Sequence, residues 1–212
     1  DIEGSIFFAL SGAQFNGNKF AKDAIEKGAV IAVVDQEKYK YNDQYILVED
    51  TLKALQDLAK IHRSKLNCEF IGITGSNGKT TTKELIAHVL STEKKVSYTH
   101  GNLNNHIGVP LTILNINNDT EIAVVEMGAN HIGEIAALCE IVRPHTGIIT
   151  NIGKAHLEGF GSFEGVVKAK SELYNFLRIT NGIVLVNEED PLLLRLSEGI
   201  KRITYGSDSK LI

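Results

Sequence analysis

The sequence predicts an α/β protein in which a small N-terminal α/β domain, residues 1–66, precedes a doubly wound, mostly parallel-sheet domain, residues 67–212. Short apolar runs alternate with stretches of helical periodicity, and the runs are nearly continuous, as expected for strands buried on both faces. One of these runs leads through a glycine-rich turn directly into a helix. With 212 residues, 43% of them hydrophobic, the chain is long enough to bury one large core or two small ones.

The first domain is predicted to have strands at 6–10, 29–35 and 45–48, a helix at 21–27, and a glycine- and asparagine-rich loop at 11–20. Asp50 or Thr51 can cap a second helix, which ends near residue 66. Its predicted inner face carries four apolar residues at helical spacing: Leu52, Leu55, Leu58 and Ile61. The domain boundary is placed after this helix.

The second domain is predicted to have strands at 70–74, 96–98, 122–127, 147–151 and 183–186, with helices at 80–90, 109–114, 133–140 and 163–177. Ligands of such sheets bind beyond the carboxyl ends of the strands. Three polar features lie at predicted strand ends: the loop after residue 74, Glu126, and the segment that begins at Asn151. We therefore expect the site at this edge of the sheet.

The stretch "FIGITGSNGKTTTKELI", residues 70–86, has the features of a phosphate-binding loop. Its two loop glycines allow backbone N–H groups to turn around an anion, Lys79 supplies a cation, and the Thr80 hydroxyl is placed to ligate Mg²⁺. Ile73 stands where the GxxxxGK[ST] pattern has its first glycine. The predicted ATP-binding residues of this loop are Gly75, Ser76, Asn77, Gly78, Lys79, Thr80 and Thr81. The loop alone fits a kinase, a GTPase switch, a motor or a ligase.

Four further candidates have both a functional and an ordinary structural interpretation. Asn104 and Asn105, in "HGNLNNHIGVPLTIL", can bind a polar ligand or cap the following helix. His156, in "TNIGKAHLEGFGS", is a metal ligand or an ordinary loop histidine. Lys170 lies close to the apolar face of an amphipathic helix rather than opposite it, which is unusual for a solvated lysine.

These motifs together resemble the Mur ligases of peptidoglycan synthesis. The resemblance is carried in order by "TGSNGKTTTKE", "GNLNNHIGVPLT", "VVEMGANHIGEI", "NIGKAHLEGFGS" and "KAKSELY", and it covers nearly the whole chain. The family loop has the form TGxxGKT[ST], which accounts for Ile73. The N-terminal stretch "GSIFFALSGAQFNGNKFAKDAIEKGAVIAVVD" resembles the family domain that holds the UDP-sugar end of the substrate.

The resemblance implies an ATP-dependent ligase that adds D-Ala-D-Ala to UDP-MurNAc-tripeptide through an acyl phosphate. It implies catalytic roles for Lys79, His156 and Lys170, with Mg²⁺ held by Thr80 and Glu126. A second Mg²⁺ would be held by the histidine and by the lysine in carbamylated form. Two further roles are implied: Asn104 and Asn105 contact the substrate, and Asn187, in "LVNEEDP", lies near the adenine.

Two family features are not found in these 212 residues. One is a D[ST]R segment before the position of Asp1, and the other is the third domain, which binds the incoming amine. We therefore expect a fragment with an incomplete central domain that does not ligate alone. The alternatives are a MurE-type ligase or folylpolyglutamate synthetase, a P-loop kinase, and a non-catalytic UDP-sugar-binding module.

The composition of the chain argues against some classes of binding partner and some cellular locations. The net charge of −4 and the lack of a Lys/Arg-rich run argue against nucleic acid. No apolar run approaches the roughly 18 residues of a membrane span, and the start "DIEGSIFF" is not typical of a signal peptide. Cys68 and Cys139 are far apart and lack metal-site spacing, which favours reduced thiols in the cytoplasm. We expect a monomer.

Overall fold

The computed structural model describes residues 2–153 and 157–207. The chain forms two compact units, Asp1–Leu58 and Ala59–Ile212. The division falls inside a helix, Thr51–Lys65, and the domain boundary after residue 66 stays a prediction. The α/β fold class is confirmed.

The first unit is built around a three-stranded parallel sheet in the order β1-β4-β5. Its elements are β1 (Ile6–Phe8), β2 (Ser11–Gly12), β3 (Phe15–Asn16), α1 (Ala21–Glu26), β4 (Ile31–Val34), β5 (Tyr45–Leu47) and the start of α2 (Thr51–Lys65). The β2–β3 pair is a short antiparallel ribbon inside the predicted loop. The sequence gives little signal for it because each strand has two residues and makes no apolar run.

The inner face of α2 differs from the prediction at its C-terminal half. Leu55 and Ala59 are buried as helical spacing requires, whereas Ile61 is 55% exposed. Arg63 occupies the inner position instead. Its guanidinium donates to the carbonyls of Val142 and Arg143 and stacks on the Phe70 ring at 3.7 Å from the centroid. A buried cation is tolerated when carbonyl groups accept its hydrogen bonds. The spacing of apolar residues in the sequence could not show that Arg63 is buried in this way.

The second unit contains a six-stranded, all-parallel sheet in the order β11-β10-β9-β6-β8-β7. The strands are β6 (Glu69–Thr74), β7 (Val96–Tyr98), β8 (Ile122–Glu126), β9 (Thr146–Ile149), β10 (Ile183–Asn187) and β11 (Lys201–Tyr205). The helices are α3 (Lys79–Leu90), α4 (Gly108–Leu114), α5 (Glu134–Val142), α6 (Leu157–Phe160), α7 (Phe163–Ile179) and α8 (Pro191–Leu196). The chain leaves β6 toward one side and later returns on the other, so β6 lies at the point where strand order reverses.

The sheet is covered on both faces, as a doubly wound arrangement requires. On one face, Ile73, Val124 and Ile148 pack with Ile86 and Leu90 of α3. The larger core on the other face joins the sheet to α4, α5 and α7 and contains Phe70, Val125, Val109, Ile135 and Leu173. Successive residues of β6, β8, β9 and β10 therefore enter opposite cores, which explains why these strands have no polar alternation.

Three elements of the second unit were not predicted: α6, α8 and β11. For α8 the signal was present, because Asp190 caps its first turn and Pro191 occupies the first helical position. All residues of β11 are exposed, and this strand is recognisable only from its pairing with β10. None of the helices among residues 2–153 and 157–207 has the length and apolar character needed to cross a membrane.

Candidate active site

The glycine-rich loop lies between the end of β6 at Thr74 and the start of α3 at Lys79. Gly75 has φ +146°, and a Cβ on it would overlap the Thr150 hydroxyl. Gly78 has φ +75° and is the N-cap of α3, and no described side chain makes a capping hydrogen bond to this helix. The first N–H groups of a helix have no partner within it and carry its positive dipole end. This end of α3 is therefore suited to an anion such as phosphate.

The loop is held by the segment that follows β9. The Ser76 N–H donates to the Asn151 carbonyl at 3.0 Å, and the Asn77 N–H donates to Asn151 Oδ1 at 3.1 Å. The Thr150 hydroxyl donates to the Asn77 carbonyl at 2.7 Å, and the Gly153 N–H donates to Ser76 Oγ at 2.9 Å. The sequence placed Asn151 at a strand end near the site, and the structure gives it the role of fixing the loop.

Lys79 folds back over the loop. Its Nζ donates to the carbonyls of Gly75 at 2.8 Å and Ser76 at 3.2 Å. Burial lowers the pKa of this amine below its ordinary value, and the negative charge of Glu126 acts in the opposite direction. The side chain is held at the loop and is half-buried, so its charge acts at short range on any anion bound there.

Glu126, at the end of β8, is 1% exposed, and both of its carboxylate oxygens are hydrogen-bonded. Thr80 Oγ1 donates to Oε2 at 2.9 Å, and Asn104 Nδ2 donates to Oε1 at 2.7 Å. The described residues contain no group of three or more His, Cys, Asp or Glu side chains with metal-site geometry. One hydroxyl and one carboxylate nevertheless fit Mg²⁺ that arrives with a nucleotide, since such Mg²⁺ keeps waters and takes phosphate oxygens as ligands.

Lys170, on α7, is 2% exposed, whereas the neighbouring Lys168 is exposed. Its Nζ lies 3.5 Å from the Ala129 carbonyl and 5.4 Å from the centroid of the Phe160 ring. Burial, followed by the positive charge of Lys79, lowers the pKa of this amine to about 8, although Glu134 and Glu172 act in the opposite direction. An ammonium repels a metal ion, so this position fits a metal only after the amine has lost its proton and gained an oxygen ligand.

The remaining candidates have different environments. Asn105 is exposed, and its Oδ1 accepts from the N–H groups of Ile107 and Gly108 at the start of α4. Asn187 lies at the carboxyl end of β10, and its Oδ1 accepts from the Glu189 N–H. Thr81 is exposed on the first turn of α3. His156 lies outside the described residues, so its predicted role stays a prediction.

Two residues that were not predicted from the sequence, Thr99 and Lys83, support the backbone of Glu126. The Thr99 hydroxyl accepts from the Glu126 N–H at 2.9 Å, and the buried Lys83 ammonium donates to the Thr99 carbonyl at 2.5 Å. No local pattern signals these contacts, because they join side chains to residues 27 and 16 positions away. The one available signal was a lysine inside the otherwise apolar face of α3.

The parallel sheet, the glycine-rich loop and the uncapped helix that follows it define an α/β protein of the P-loop class. The Mur ligase middle domain matches residues 73–211, and the catalytic domain of the Mur ligase family matches residues 3–63. The chain belongs to the Mur ligase family, which confirms the predicted resemblance.

Relatives with known names match over nearly the whole chain. The UDP-N-acetylmuramoyl-tripeptide–D-alanyl-D-alanine ligase of Bacillus subtilis is 45% identical over 95% of the chain and 44% of its own length. The corresponding ligase of Haemophilus influenzae is 43% identical over 89% of the chain and 42% of its own length. The crystal structure of MurF ligase from Thermotoga maritima in complex with ADP has a TM-score of 0.88 and 34% identity, covering 98% of the chain and 48% of that protein. The chain thus spans less than half the length of these relatives.

Proposed function

We propose that the protein to which this chain belongs is an ATP-dependent ligase that joins D-Ala-D-Ala to UDP-MurNAc-tripeptide. The observation that carries this proposal is a buried lysine, Lys170, at the same site as a phosphate-binding loop. A kinase needs the loop but has no use for a second, desolvated amine beside it. The names of the relatives at 43–45% identity support the choice of substrates.

In this proposal the loop residues, the first turn of α3 and Lys79 bind the triphosphate of ATP. Thr80 and Glu126 hold Mg²⁺, which, when bound, neutralises charge on the phosphates. Asn187 faces the adenine from the same edge of the sheet. Lys79 stabilises the negative charge that develops on the phosphoryl group as it is transferred.

The proposed reaction brings together two anions, the substrate carboxylate and the γ-phosphate of ATP. The substrate carboxylate attacks the γ-phosphorus, and the bond from phosphorus to the bridging oxygen breaks. ADP departs, and the substrate carboxylate has become an acyl phosphate. The amine of D-Ala-D-Ala then attacks the acyl carbon, the amide forms, and phosphate leaves as the amine loses a proton. Asn104 and Asn105 contact the peptide substrate. Lys170 reacts with CO₂ as the neutral amine, releases a proton and becomes a carbamate that serves with His156 as a second Mg²⁺ site.

The first unit is proposed to hold the UDP-sugar end of the substrate. The resemblance of its N-terminal stretch to the family domain with this role supports the assignment, and residues 3–63 match the Mur ligase family. Cys68 and Cys139 are both buried and unpaired, which fits a protein that acts in the reducing cytoplasm. We expect the active protein to be a monomer.

The function is tested by an amide-ligation assay on the protein at its full natural length. UDP-MurNAc-tripeptide is paired with D-Ala-D-Ala or with single amino acids, and ADP release and the peptide product are both measured. We expect product with the dipeptide. Product with a single amino acid would move the assignment to a MurE-type ligase, and activity only with a folate and glutamate would move it to folylpolyglutamate synthetase.

The carbamate is tested by Lys170→Ala in the same protein. We expect ligation to be lost and to be partly restored by short carboxylates, which can supply the missing oxygens. Lys168→Ala is the matched control, because Lys168 is exposed on the same helix and should leave ligation unchanged. Full activity of Lys170→Ala would remove this lysine from the mechanism.

A further inference from the structure

Lys83 is a charged side chain of α3 that the proposed chemistry does not use, and it is fully buried. Its ammonium donates to the Thr99 carbonyl at 2.5 Å, forms an ion pair with Glu84 at 2.9 Å, and lies 5.6 Å from the centroid of the Tyr98 ring. Removing a cation from water is unfavourable, so a buried lysine needs a compensating contact. The Thr99 carbonyl, just beyond β7, is the buried contact that this ammonium has.

Thr99 connects that contact to Glu126. Its N–H donates to the Val124 carbonyl at 3.0 Å, and its hydroxyl accepts from the Glu126 N–H at 2.9 Å. Thr99 is itself fully buried, so water cannot replace either bond at low cost. The position of the Thr99 peptide therefore affects where the backbone of Glu126 lies at the end of β8.

Two residues of helix α3 act on Glu126, one directly and one through Thr99. Thr80 and Lys83 are three residues apart on α3, a spacing that puts both side chains on the same face. Thr80 holds the Glu126 carboxylate directly, and Lys83 holds the Glu126 backbone through Thr99. A single rigid helix thus contacts both the side chain and, indirectly, the main chain of the same acidic residue.

We propose that Lys83 is a positioning residue whose ammonium, acting through Thr99, sets the Thr80–Glu126 pair for Mg²⁺ binding. This inference rests on the proposed function in one respect, since it takes that pair to hold the Mg²⁺ of a bound nucleotide. Lys83 does not touch the ion or the nucleotide. It orients the group that binds the ion, as residues behind metal ligands commonly do.

The test is ADP binding by the full-length protein, measured by calorimetry with excess Mg²⁺ and again with EDTA. Lys83→Met keeps a long unbranched side chain but removes the ammonium that donates to the Thr99 carbonyl. We expect the affinity for ADP in Mg²⁺ to fall by about 10–100-fold, the range seen when groups behind metal ligands are removed. Affinity in EDTA should stay unchanged, because the loop and Lys79 are untouched.

Lys94→Met is the matched control, since Lys94 forms an ion pair with Glu121 on the surface. Thr99→Val tests the same connection from its other end and removes only the hydroxyl that accepts from Glu126. If Lys83→Met does not fold, Thr99→Val alone decides. If both fold, their effects on Mg²⁺-dependent affinity should be less than additive, because they interrupt one route.

The outcomes separate the two proposals. Loss of ADP affinity to the same extent in Mg²⁺ and in EDTA, or no loss at all, would show that Lys83 has only a structural role. Wild-type protein that binds ADP without any effect of Mg²⁺ would overturn both this inference and the proposed Mg²⁺ site. A protein that binds ADP as expected but does not ligate would contradict the proposed function and leave the role of Lys83 standing.

Discussion

Replacement of Lys170 by methionine should stabilise the protein while abolishing its activity. The buried ammonium has a weak contact, 3.5 Å from the Ala129 carbonyl, and burial holds its pKa at about 8. The fall from the ordinary value of 10.5 to about 8 corresponds, at about 1.4 kcal/mol for each tenfold change in proton affinity, to roughly 3 kcal/mol. The ammonium destabilises the folded state by this amount wherever it stays protonated.

The pH dependence has a definite sign. Below about pH 8 the lysine is protonated in both folded and unfolded protein, and the full destabilisation is present. Between about 8 and 10.5 the folded protein has lost this proton and the unfolded chain has kept it, so wild-type stability rises with pH. Above 10.5 both states are neutral and the destabilisation has gone. The advantage of Lys170→Met should therefore be largest near neutral pH and disappear in alkali.

The measurement is urea unfolding of both proteins in metal-free, CO₂-free buffer at pH 7 and pH 10.5. Methionine also removes the contact of the ammonium with the Phe160 ring, worth about 1 kcal/mol, so we expect a net gain near 2 kcal/mol at pH 7. Lys168→Met is the control and should change stability by less than about 0.5 kcal/mol, since Lys168 is exposed. The reasoning would be refuted if Lys170→Met were no more stable than the wild-type protein at pH 7, or if its advantage were as large at pH 10.5 as at pH 7.

Three further predictions concern the loop and its neighbours. Glu126→Gln should weaken ADP binding in Mg²⁺ but not in EDTA, since it removes the carboxylate charge and keeps its shape; equal weakening in both, by calorimetry, would contradict this. Gly75→Ala should lower the melting temperature and abolish ADP binding, because the added Cβ would overlap the Thr150 hydroxyl. A Cβ added at Gly78 meets no atom within 4 Å, so Gly78→Ala should lower the free energy of unfolding by only about 1–2 kcal/mol, owing to the positive φ. Comparable melting curves for the two alanine variants would be inconsistent with that difference. Asn105→Ala should lower stability by about 0.5–2 kcal/mol, because it removes a helix cap. Asn104→Ala should instead weaken Mg²⁺-dependent ADP binding, because it removes a contact to Glu126. Loss of ADP binding in Asn105→Ala together with loss of stability alone in Asn104→Ala would count against both roles.

Much of the fold was predictable because its signals are local. The strands of the large sheet are apolar runs buried between helices, and β6 to β10 were placed within a few residues of their observed ends. β11 was missed because its five exposed residues make no apolar pattern. Ile61 was assigned to the wrong face because helical spacing counts apolar residues and cannot show that Arg63 is buried against carbonyl groups.

Parts of the candidate site could be predicted where a short sequence pattern is typical of one kind of ligand. The loop and Thr80 follow from a strand, a turn and a helix in order, and Glu126 was singled out by its place at a strand end and by the family resemblance. The structure brings Thr80 and Glu126 into contact. Asn104 and Asn105 are adjacent in sequence, yet one bonds Glu126 and the other caps α4, and composition gives no means to separate them. Lys83 was missed because its partner is a carbonyl, which every residue has.

The two buried lysines of this site have opposite environments, and the contrast indicates different uses. Lys83 donates to a carbonyl at 2.5 Å and pairs with a carboxylate at 2.9 Å, so its charge is compensated and its place is fixed. Lys170 has a carbonyl at 3.5 Å and an aromatic ring, and its pKa is lowered to about 8, so a part of it is neutral at physiological pH. A compensated ammonium is suited to holding structure, whereas a poorly compensated one is suited to losing its proton and reacting. Under the proposed function, the stability lost at Lys170 is the physical consequence of keeping a reactive amine beside the phosphate-binding loop.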